Sequence, residues 1–531
     1  MRWTRLRLVL PPSCRPSSIF GDGPAISFAI SSPWSAAPRH PPVHTSLHRR
    51  RRSTIKIAFS STAFGDPLIN FVRSSGGQVG KGVTVEESGH LGCGLFALHP
   101  CESGTILVSL PPKAQLSYDV KSTDERLLNL IDSVPTELWG GKLALVLLHH
   151  RVITGTPEDH FADYIAALPN TYPGLPIFFS DEAVKALEYP PVTVEVIRRC
   201  RWLINFSGQV LAPFQQQINK NDLDPFSGVL IDSNILGWGL AAVTSRAFRP
   251  KGTQHPACML PLIDMANHSF TPNCKIMLSK GGELNMIAAR DIVAGEQLCI
   301  DYGPWPNDYF LLDYGFIVPD NPHDNVLLKF DRSLIEAAKG IGNVPSQLRD
   351  DGTLLPLPSW QKKALESIGI DTSSSGNSQQ VAIRQHFGNL NTCPVEDKLL
   401  AGVRILCSTQ ASELKGTGAK RLCDWNRPLT LKNELAALKT LLGICAIALS
   451  QFSTTDAIDM ELLKLPTPEK KHKLPKDVEL AVRFRLEKKR LLTRAMTALS
   501  SRVKELPQII DQAQDSTSST GQHKGFGPTS G

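Results

Sequence analysis

Hydrophobic and polar residues alternate over residues 82–111, with glycine-rich turns between the alternating runs. This period of two predicts short β-strands. From about Asp124 the pattern changes, and over residues 124–153 apolar residues recur at helical spacing. Helical patterns, interrupted by Pro and Gly, continue to about Phe226.

Strand character returns in two short runs, KIMLSK at 275–280 and LNMIAARDI at 284–292. Gly281 and Gly282 lie between them, and a Gly-Gly pair between two apolar runs is typical of a tight hairpin. The pattern therefore predicts that a helical block is inserted between two β-rich pieces.

The chain after about Asp324 is predominantly helical in pattern. Residues 340–378 are rich in Pro, Ser and Gly and are predicted to be mostly loop. Strong helical periodicity occurs in three segments, 395–412, 430–452 and 477–505. The Ser-, Thr-, Gln- and Gly-rich residues 508–531 are predicted to be disordered.

The chain has 531 residues, 41% of them hydrophobic and 20% charged, which suits a soluble globular protein of two or three domains. No run of about 18 apolar residues is present, so no association with a membrane is expected. Eleven cysteines are scattered without a C-x-x-C pair or a Cys/His spacing suited to zinc, so no metal site is expected. A monomer is expected.

The net charge of +7 comes from the first 60 residues, which hold ten Lys/Arg and one acid. The remainder has 47 basic and 49 acidic residues, so its net charge of −2 removes the basis for a nucleic-acid partner. Residues 1–60 are Arg-, Ser- and Pro-rich, which predicts an organelle transit peptide. The Ser/Pro content favours the chloroplast stroma over the mitochondrion, and the alternative is a disordered basic tail.

Three stretches carry candidate chemistry: SGHLGCGLFA at 88–97, CMLPLIDMANHSFTPNC at 258–274, and ARDIVAGEQLCIDYGPWPNDYFLLDYGF at 289–316. Each has an ordinary structural explanation on its own. The glycines suit a corner between strands, and Asn267 and His268 suit a turn and a core histidine. Two tyrosines near element ends are often amphipathic core residues.

In this order, the three stretches resemble the SET-domain protein methyltransferases, and in particular the branch of the Rubisco large-subunit methyltransferases. FADYIAALPNTYPGLPIFFSDEAVKAL, WGLAAVTSRAF and VELAVRFRLEKKRLLTRAMTAL resemble further segments of that branch. The resemblance covers residues 64 to 507. It departs from the branch at Phe161, where the family usually has Trp, and matches poorly over 340–378.

The resemblance implies an α+β fold. A β-rich SET domain with a pseudoknot would span residues 61–320, with a helical insertion at about 122–230. An all-α substrate-binding domain would follow at residues 321–507. The segment around Tyr314 would thread past the Asn267–His268 segment.

The resemblance also implies S-adenosyl-L-methionine as cofactor. Carried over position by position, Tyr302 is the catalytic channel tyrosine and also contacts the cofactor. The other cofactor-binding positions are Leu91, Gly92, Cys93, Asn267 and His268.

Three positions match the branch's substrate side: Arg246, Asp264 and Tyr314. Arg246 could equally form a structural ion pair, and Asp264 could equally be a turn or cap carboxylate. Tyr302 is not expected to be a general base, because a phenol has a pKa of about 10. Its hydroxyl group would instead orient the amine.

The implied activity is methyl transfer to a lysine side-chain amine of a protein substrate, for which the family suggests Rubisco. Two alternatives remain. One is transfer to a histidine, which the same branch includes. The other is a non-catalytic scaffold of SET-like fold.

Overall fold

The computed structural model describes residues 65–87, 92–118, 125–153, 160–217, 224–250, 255–371, 379–389, 391–464 and 474–519. The predicted transit peptide, residues 1–60, and Leu91 lie outside these ranges. The described chain forms two compact units. The first contains the described residues up to Thr171 together with Leu203–Tyr302, and the second contains Tyr172–Trp202 and the residues from Gly303 onward.

The strands are short, and in chain order they are β1 Gln78–Val79, β2 Val83–Glu87, β3 Cys93–Ala97, β4 Ile106–Leu110, β5 Leu116–Ser117, β6 Cys258–Met259, β7 Asn267–His268, β8 Cys274–Leu278, β9 Leu284–Ala288, β10 Gln297–Ile300, β11 Asn325–Lys329 and β12 Gln380–Arg384. The α-helices are α1 Gly65–Ser74, α2 Glu125–Ser133, α3 Trp139–Val152, α4 Ala162–Ala167, α5 Asp181–Ala186, α6 Pro190–Phe206, α7 Ala212–Gln217, α8 Ser233–Arg246, α9 Asn307–Tyr309, α10 Arg332–Ile341, α11 Ser359–Ser367, α12 Asp397–Cys407, α13 Ala419–Leu422, α14 Leu431–Ser450, α15 Asp456–Leu463 and α16 Lys476–Ser519. Two single π-helical turns occupy Ser207–Leu211 and Phe310–Tyr314.

The first unit is built on two four-stranded sheets with strand orders β1-β4-β9-β8 and β2-β3-β10-β7, and a two-stranded β5-β6 sheet. The alternation predicted over residues 82–111 produces β2, β3 and β4, whose inward residues such as Leu95 and Val108 are fully buried. The hairpin prediction is confirmed: β8 pairs antiparallel with β9, and Gly282 adopts φ +88° in the turn. The threaded crossing near Tyr314 concerns residues of both units and stays a prediction.

Helices α3 and α8 form the apolar layer of the first unit. Both are buried along most of their length, and Gly239 of α8 brings its backbone against Leu148 of α3, where an added Cβ would lie 3.1 Å from Leu148 Cγ. Part of the predicted insertion belongs elsewhere, because residues Tyr172–Trp202 pack within the second unit. Local helical periodicity indicates that a face is buried but does not indicate which core buries it.

The second unit is helical, with a core formed by residues of α10, α12, α14 and α16 such as Ala338, Leu400, Leu441 and Leu492. The prediction of an all-α domain is wrong in one respect, because β11 pairs antiparallel with β12 over five residues of each strand. These strands are separated by about fifty residues of sequence. Such long-range pairing leaves no signal in a local pattern.

Helix α14, among the described residues, is long and apolar enough to cross a membrane by length and composition alone. More than half of its apolar window is buried, and Leu438, Leu441 and Ile444 lie in the core of the second unit. A core helix passes the same test of composition, so the expectation of no membrane partner stays a prediction.

The C-terminal prediction needs a correction. Residues 508–531 are predicted to be disordered, yet α16 continues through Pro507 to Ser519. Residues 508–514, QIIDQAQ followed by Asp515, are mostly good helix formers, and a single proline bends a long helix without ending it. Residues 520–531 lie outside the described part of the chain.

Candidate functional site

The second sheet of the first unit brings the three candidate stretches together. Strand β10 pairs antiparallel with β3 on one side, placing Gln297 opposite Phe96. On its other side β10 pairs in parallel with β7, placing Cys299 opposite Asn267 and Ile300 opposite His268. Tyr302 lies two residues beyond the end of β10. All three candidate stretches therefore contribute residues to this one sheet and its margin.

The Asn267 side chain connects β7 to the glycine-rich strand, because its Nδ2 atom donates a 3.5 Å hydrogen bond to the Cys93 carbonyl oxygen. Gly94 makes this approach possible. A Cβ atom at position 94 would lie 2.8 Å from Asn267 Nδ2 and would also clash with Gln297 Nε2. A side chain at position 94 would therefore displace Asn267.

Gly92 is the first described residue after the gap at 88–91. It has φ +79°, and no described residue other than its chain neighbour lies within 4 Å of the position that a Cβ would take. Left-handed backbone next to open space lets a ligand approach the main chain closely. Cys93, the next residue, is an exposed free thiol. Gly92, Cys93 and Asn267 thus form a small open polar corner that fits the polar part of a bound cofactor.

His268 is held by the backbone that leads to Tyr302. Its side chain is only 4% exposed, and its Nδ1 atom accepts a 3.2 Å hydrogen bond from the Tyr302 N–H group. Asp301 Oδ1 lies 3.9 Å from the same nitrogen. Because Nδ1 accepts a hydrogen bond, the neutral ring must carry its proton on Nε2.

Ser269, the third member of the polar trio, has a local role. Its N–H group donates to the Ile300 carbonyl oxygen at 3.0 Å, which extends the β7–β10 pairing. Its hydroxyl group accepts from the Thr271 N–H group at 3.1 Å and so closes the turn after β7.

Tyr302 has its hydroxyl group inside the first unit, where it donates a 2.8 Å hydrogen bond to the Ala266 carbonyl oxygen. Burial raises the pKa of this phenol well above its ordinary value; nearby Arg246 acts against that increase and Asp264 adds to it. Tyr302 is therefore a neutral phenol at physiological pH, in agreement with the expectation that it is not a base.

Asp264 and Arg246, two residues expected on the substrate side, lie together in the first unit. The Asp264 side chain is 1% exposed, and its Oδ2 atom lies 3.7 Å from Arg246 Nη1 and accepts a 2.6 Å hydrogen bond from the Tyr164 hydroxyl. The described residues offer no hydrogen-bond partner to the buried Oδ1 atom. Burial raises the pKa of Asp264, while Arg246 and the hydrogen bond from Tyr164 partly offset the increase.

The backbone that carries Asp264 is strained. Leu262 adopts φ +71°, a left-handed conformation that costs an apolar residue on the order of 1–3 kcal/mol. Leu262 is fully buried, and the 3₁₀ turn Ile263–Met265 follows it directly. Packing of the Leu262 side chain maintains this bend, which turns the apolar run toward Asn267.

Tyr314 lies in the second unit, at the end of the π-helical turn Phe310–Tyr314. Its ring centroid is 6.2 Å from that of Tyr309, within an aromatic group that also includes Phe310 and Phe316. The structure thus assigns Tyr314 to an aromatic cluster of its own unit.

Sequence reasoning missed two residues of this site. Tyr164 lies in the stretch FADYIAALP, where no sequence motif marks it as a partner of Asp264. Gly94 is one of three glycines in its stretch, and only the structure shows that it faces Asn267. Among the described residues no group of three or more metal-ligating side chains occurs, and the expected absence of a metal stays a prediction.

Comparisons with known proteins agree with this geometry. Residues 92–303 match the family model described as SET domain, and residues 355–492 match the one described as Rubisco LSMT substrate-binding. The solved structure of the SET domain of LSMT bound to lysine and AdoHcy superposes with a TM-score of 0.58 at 18% identity, covering 84% of this chain and 93% of that one. The structure of Rubisco LSMT bound to AdoMet gives a TM-score of 0.57 at 18% identity, covering 83% and 93%.

Curated relatives extend over most of the chain. The actin-histidine N-methyltransferase of Homo sapiens is 23% identical over 462 residues, which cover 84% of this chain and 70% of the relative. The protein of the same name from Xenopus tropicalis is 22% identical over 468 residues, covering 85% and 73%. The chain therefore belongs to the SET-domain protein methyltransferases that use S-adenosylmethionine, and it carries a Rubisco LSMT substrate-binding domain after its SET domain.

Proposed function

We propose that this chain transfers the methyl group of S-adenosylmethionine to a lysine side-chain amine of a protein substrate. Support comes from the second matched domain, described as Rubisco LSMT substrate-binding, and from the similarity in fold to the SET domain of LSMT bound to lysine. The reaction needs a neutral amine. Removal of a lysine side chain from water lowers its pKa and so supplies that form.

The cofactor supplies a sulfonium-bound methyl group. On our assignment the main chain at Leu91, Gly92 and Cys93 holds its polar part, together with Asn267 and His268. The space that the described residues leave beside Gly92 and the hydrogen bond from Asn267 to the Cys93 carbonyl support this assignment. The fixed Asn267 side chain lowers the entropy cost of forming the cofactor site.

The observation that carries the proposal is the hydrogen bond from the Tyr302 hydroxyl to the Ala266 carbonyl at 2.8 Å. A phenol has one hydrogen, so toward any further group the Tyr302 oxygen acts as an acceptor. When an amine donates an N–H hydrogen bond to this oxygen, the lone pair of its nitrogen points elsewhere, toward the methyl group. The raised pKa of Tyr302 keeps this arrangement unchanged with pH.

The acceptor side would involve Arg246, Asp264 and Tyr314. The buried Asp264 Oδ1 atom lacks a hydrogen-bond partner among the described residues, and an unpaired buried oxygen costs about 1–3 kcal/mol. A substrate group that donates a hydrogen bond to this oxygen would recover that cost. Tyr164 and Arg246 hold the other oxygen and fix the direction in which Oδ1 points.

The compartment is part of the proposal. The Arg-, Ser- and Pro-rich composition of residues 1–60 supports import into the chloroplast stroma, where Rubisco is one protein that could serve as substrate. A fusion of residues 1–60 to a fluorescent protein should accumulate in plastids. Accumulation in mitochondria or in the cytosol would contradict this assignment.

A second candidate is transfer to a histidine ring nitrogen. The curated relatives that cover most of this chain are named actin-histidine N-methyltransferases, and this observation favours it. The neutral imidazole is available near pH 7 without a shift in pKa, so histidine transfer would depend less on pH than lysine transfer.

The test uses the chain without residues 1–60, labelled S-adenosylmethionine and a stromal extract. Wild type should label a protein band, and acid hydrolysis of that band should yield labelled methyllysine. Tyr302→Phe should label it at least about tenfold more slowly, since the loss of one oriented hydrogen-bond partner is worth about 1–3 kcal/mol.

The matched control is Tyr189→Phe, which removes a buried phenol hydroxyl that accepts from the Leu327 N–H group in the second unit. It should label the band at the wild-type rate once folded. Labelled methylhistidine in place of methyllysine would favour the second candidate. Equal labelling by wild type and Tyr302→Phe would remove Tyr302 from the catalytic site.

A further inference from the structure

Among the contacts that hold the π-helical turn Phe310–Tyr314 from outside is one arginine side chain. Arg199, on helix α6, donates from Nη1 to the Leu312 carbonyl oxygen at 2.7 Å and to Asp313 Oδ1 at 2.6 Å. All of these residues belong to the second unit. The side chain of Arg199 is 12% exposed and that of Asp313 is 3% exposed, so the contacts are shielded from water.

Arg199 supplies a hydrogen-bond donor to a backbone carbonyl group of the turn, that of Leu312. The last carbonyl groups of a helix have no partner within it, and a positive charge near them is favourable. A π-helical turn is uncommon and is frequently found at functional sites. The guanidinium group, by bonding the Leu312 carbonyl and the adjacent carboxylate together, holds the turn in this form.

A second constraint lies at the end of the turn. Gly315 adopts φ +77°, and its carbonyl oxygen packs closely against Gly174, where an added Cβ would lie 2.5 Å away. Arg199 therefore holds the two residues before Tyr314, and the close packing of Gly315 holds the residue after it. These two contacts constrain the backbone on either side of the Tyr314 side chain.

Aromatic side chains that precede the turn also pack toward Tyr314. Tyr309 precedes the turn, and burial together with the nearby Asp313 carboxylate raises the pKa of its hydroxyl group. Trp305 stacks on Tyr309 with ring centroids 4.6 Å apart, and Tyr309 lies 6.2 Å from Tyr314. Asp313 thus pairs with Arg199 and also influences the Tyr309 side chain, whose ring lies beside Tyr314.

We propose that Arg199 is a positioning residue for the acceptor: through Leu312 and Asp313 it sets where the Tyr314 ring lies, and thereby how the acceptor side chain is held. This inference rests on the proposed function, in which Tyr314 faces the acceptor. It assigns Arg199 no contact with substrate or cofactor.

The test variant is Arg199→Lys, which keeps the positive charge but cannot reproduce the paired contacts of a guanidinium group. The matched control is Arg198→Lys. Arg198 is the preceding residue and pairs with Glu195, which also bonds Arg199 Nε at 3.0 Å. The Arg198 side chain is 38% exposed and makes no described bond to the turn. Both variants are assayed on the stromal extract over a range of dilutions, and the methylated products are separated by mass spectrometry.

Arg199→Lys should raise the half-saturating concentration of extract about tenfold and change the ratio of mono-, di- and trimethylated product, because one charged hydrogen bond is lost. Its affinity for S-adenosylmethionine, measured by calorimetry, should equal that of wild type. Arg198→Lys should match wild type in all three measurements.

An unchanged half-saturation and product ratio in Arg199→Lys would overturn the positioning role. If that variant is unfolded at the assay temperature, Asp313→Asn carries the test with the same two outcomes, since the amide keeps the size of the side chain but removes the charge that Arg199 pairs with. Absence of transfer by wild type would instead refute the proposed function.

Discussion

Two buried aspartates, one in each unit, are held in opposite ways. Asp459, on α15 of the second unit, accepts hydrogen bonds from Arg485 at 2.7 Å and from Lys489 at 2.6 Å, and Thr454 adds a third donor. Asp264 of the first unit has one short hydrogen bond, from Tyr164, and its Oδ1 atom has no hydrogen-bond partner among the described residues.

The pKa values of the two carboxyl groups reflect this difference. Burial acts to raise the pKa of Asp459, but the hydrogen bonds from Arg485 and Lys489 outweigh it and lower the pKa. Burial raises the pKa of Asp264, and Arg246 at 3.7 Å offsets only part of the increase. A fully paired carboxylate stabilises its fold, whereas an incompletely paired buried one is a candidate functional group.

The largest expected effect is that of Asp459→Asn, which leaves Arg485 and Lys489 buried beside a neutral amide. We expect a loss of about 3–5 kcal/mol in the free energy of unfolding, the typical result of breaking a buried ion pair. Urea unfolding at pH 7 measures it. Asp397→Asn, at an exposed ion pair with Arg384, should cost no more than about 1 kcal/mol.

Acid should remove this contribution. A carboxyl group whose pKa is lowered in the folded state adds stability above its unfolded pKa of about 3.9, and that stability disappears as the pH falls through the lower folded value. The difference between wild type and Asp459→Asn should therefore shrink below about pH 4. A constant difference down to lower pH would show that the charge of Asp459 is not the cause.

Two glycines give an intermediate effect. An alanine Cβ at position 443 of α14 would clash with the Ala338 backbone of α10, so Gly443→Ala should cost about 1–3 kcal/mol of stability. Gly94→Ala would displace flexible side-chain ends at Asn267 and Gln297 instead. It should weaken S-adenosylmethionine binding about tenfold, with a smaller loss of stability.

Thermal unfolding and calorimetric titration of both variants distinguish these outcomes. Gly443→Ala should bind the cofactor as wild type does. If Gly94→Ala also binds the cofactor normally, then Asn267 is not a cofactor contact. The glycines of the two units would then not differ in function.

The smallest effect is that of Asp264→Asn. Because burial raises the pKa of Asp264, its charge opposes folding at pH 7, and its removal should stabilise the chain by on the order of 1 kcal/mol. The gain should vanish as the pH falls toward about 4, where the unfolded carboxyl group is protonated too. Methyl transfer by this variant should nevertheless fall.

Unfolding curves at pH 7 and pH 4.5, with the labelling assay on the same samples, measure both properties. A stability loss equal to that of Asp459→Asn would mean that Asp264 serves a structural ion pair with Arg246, which was the alternative predicted for Arg246. The comparison between the two aspartates would then fail.

Much of the site could be predicted from the sequence because its parts are local. The Gly-rich strand, the Asn267–His268 pair and the strand ending before Tyr302 are short motifs whose order carries the resemblance. The strand pattern of 82–111 and the hairpin at Gly281–Gly282 follow from alternation and turn chemistry. Asp264 could be named but not distinguished from a turn carboxylate.

The sequence by itself determined most of the elements of the first unit, the main helices of the second and the family resemblance, because periodicity and motif spacing are properties of neighbouring residues. Tertiary structure alone decided that residues 172–202 pack in the second unit, that β11 pairs with β12, and that Gly94 faces Asn267. It also decided which buried carboxylate is paired. These outcomes depend on contacts between residues far apart in the chain, and no local pattern records the partner that a buried face or charge will find.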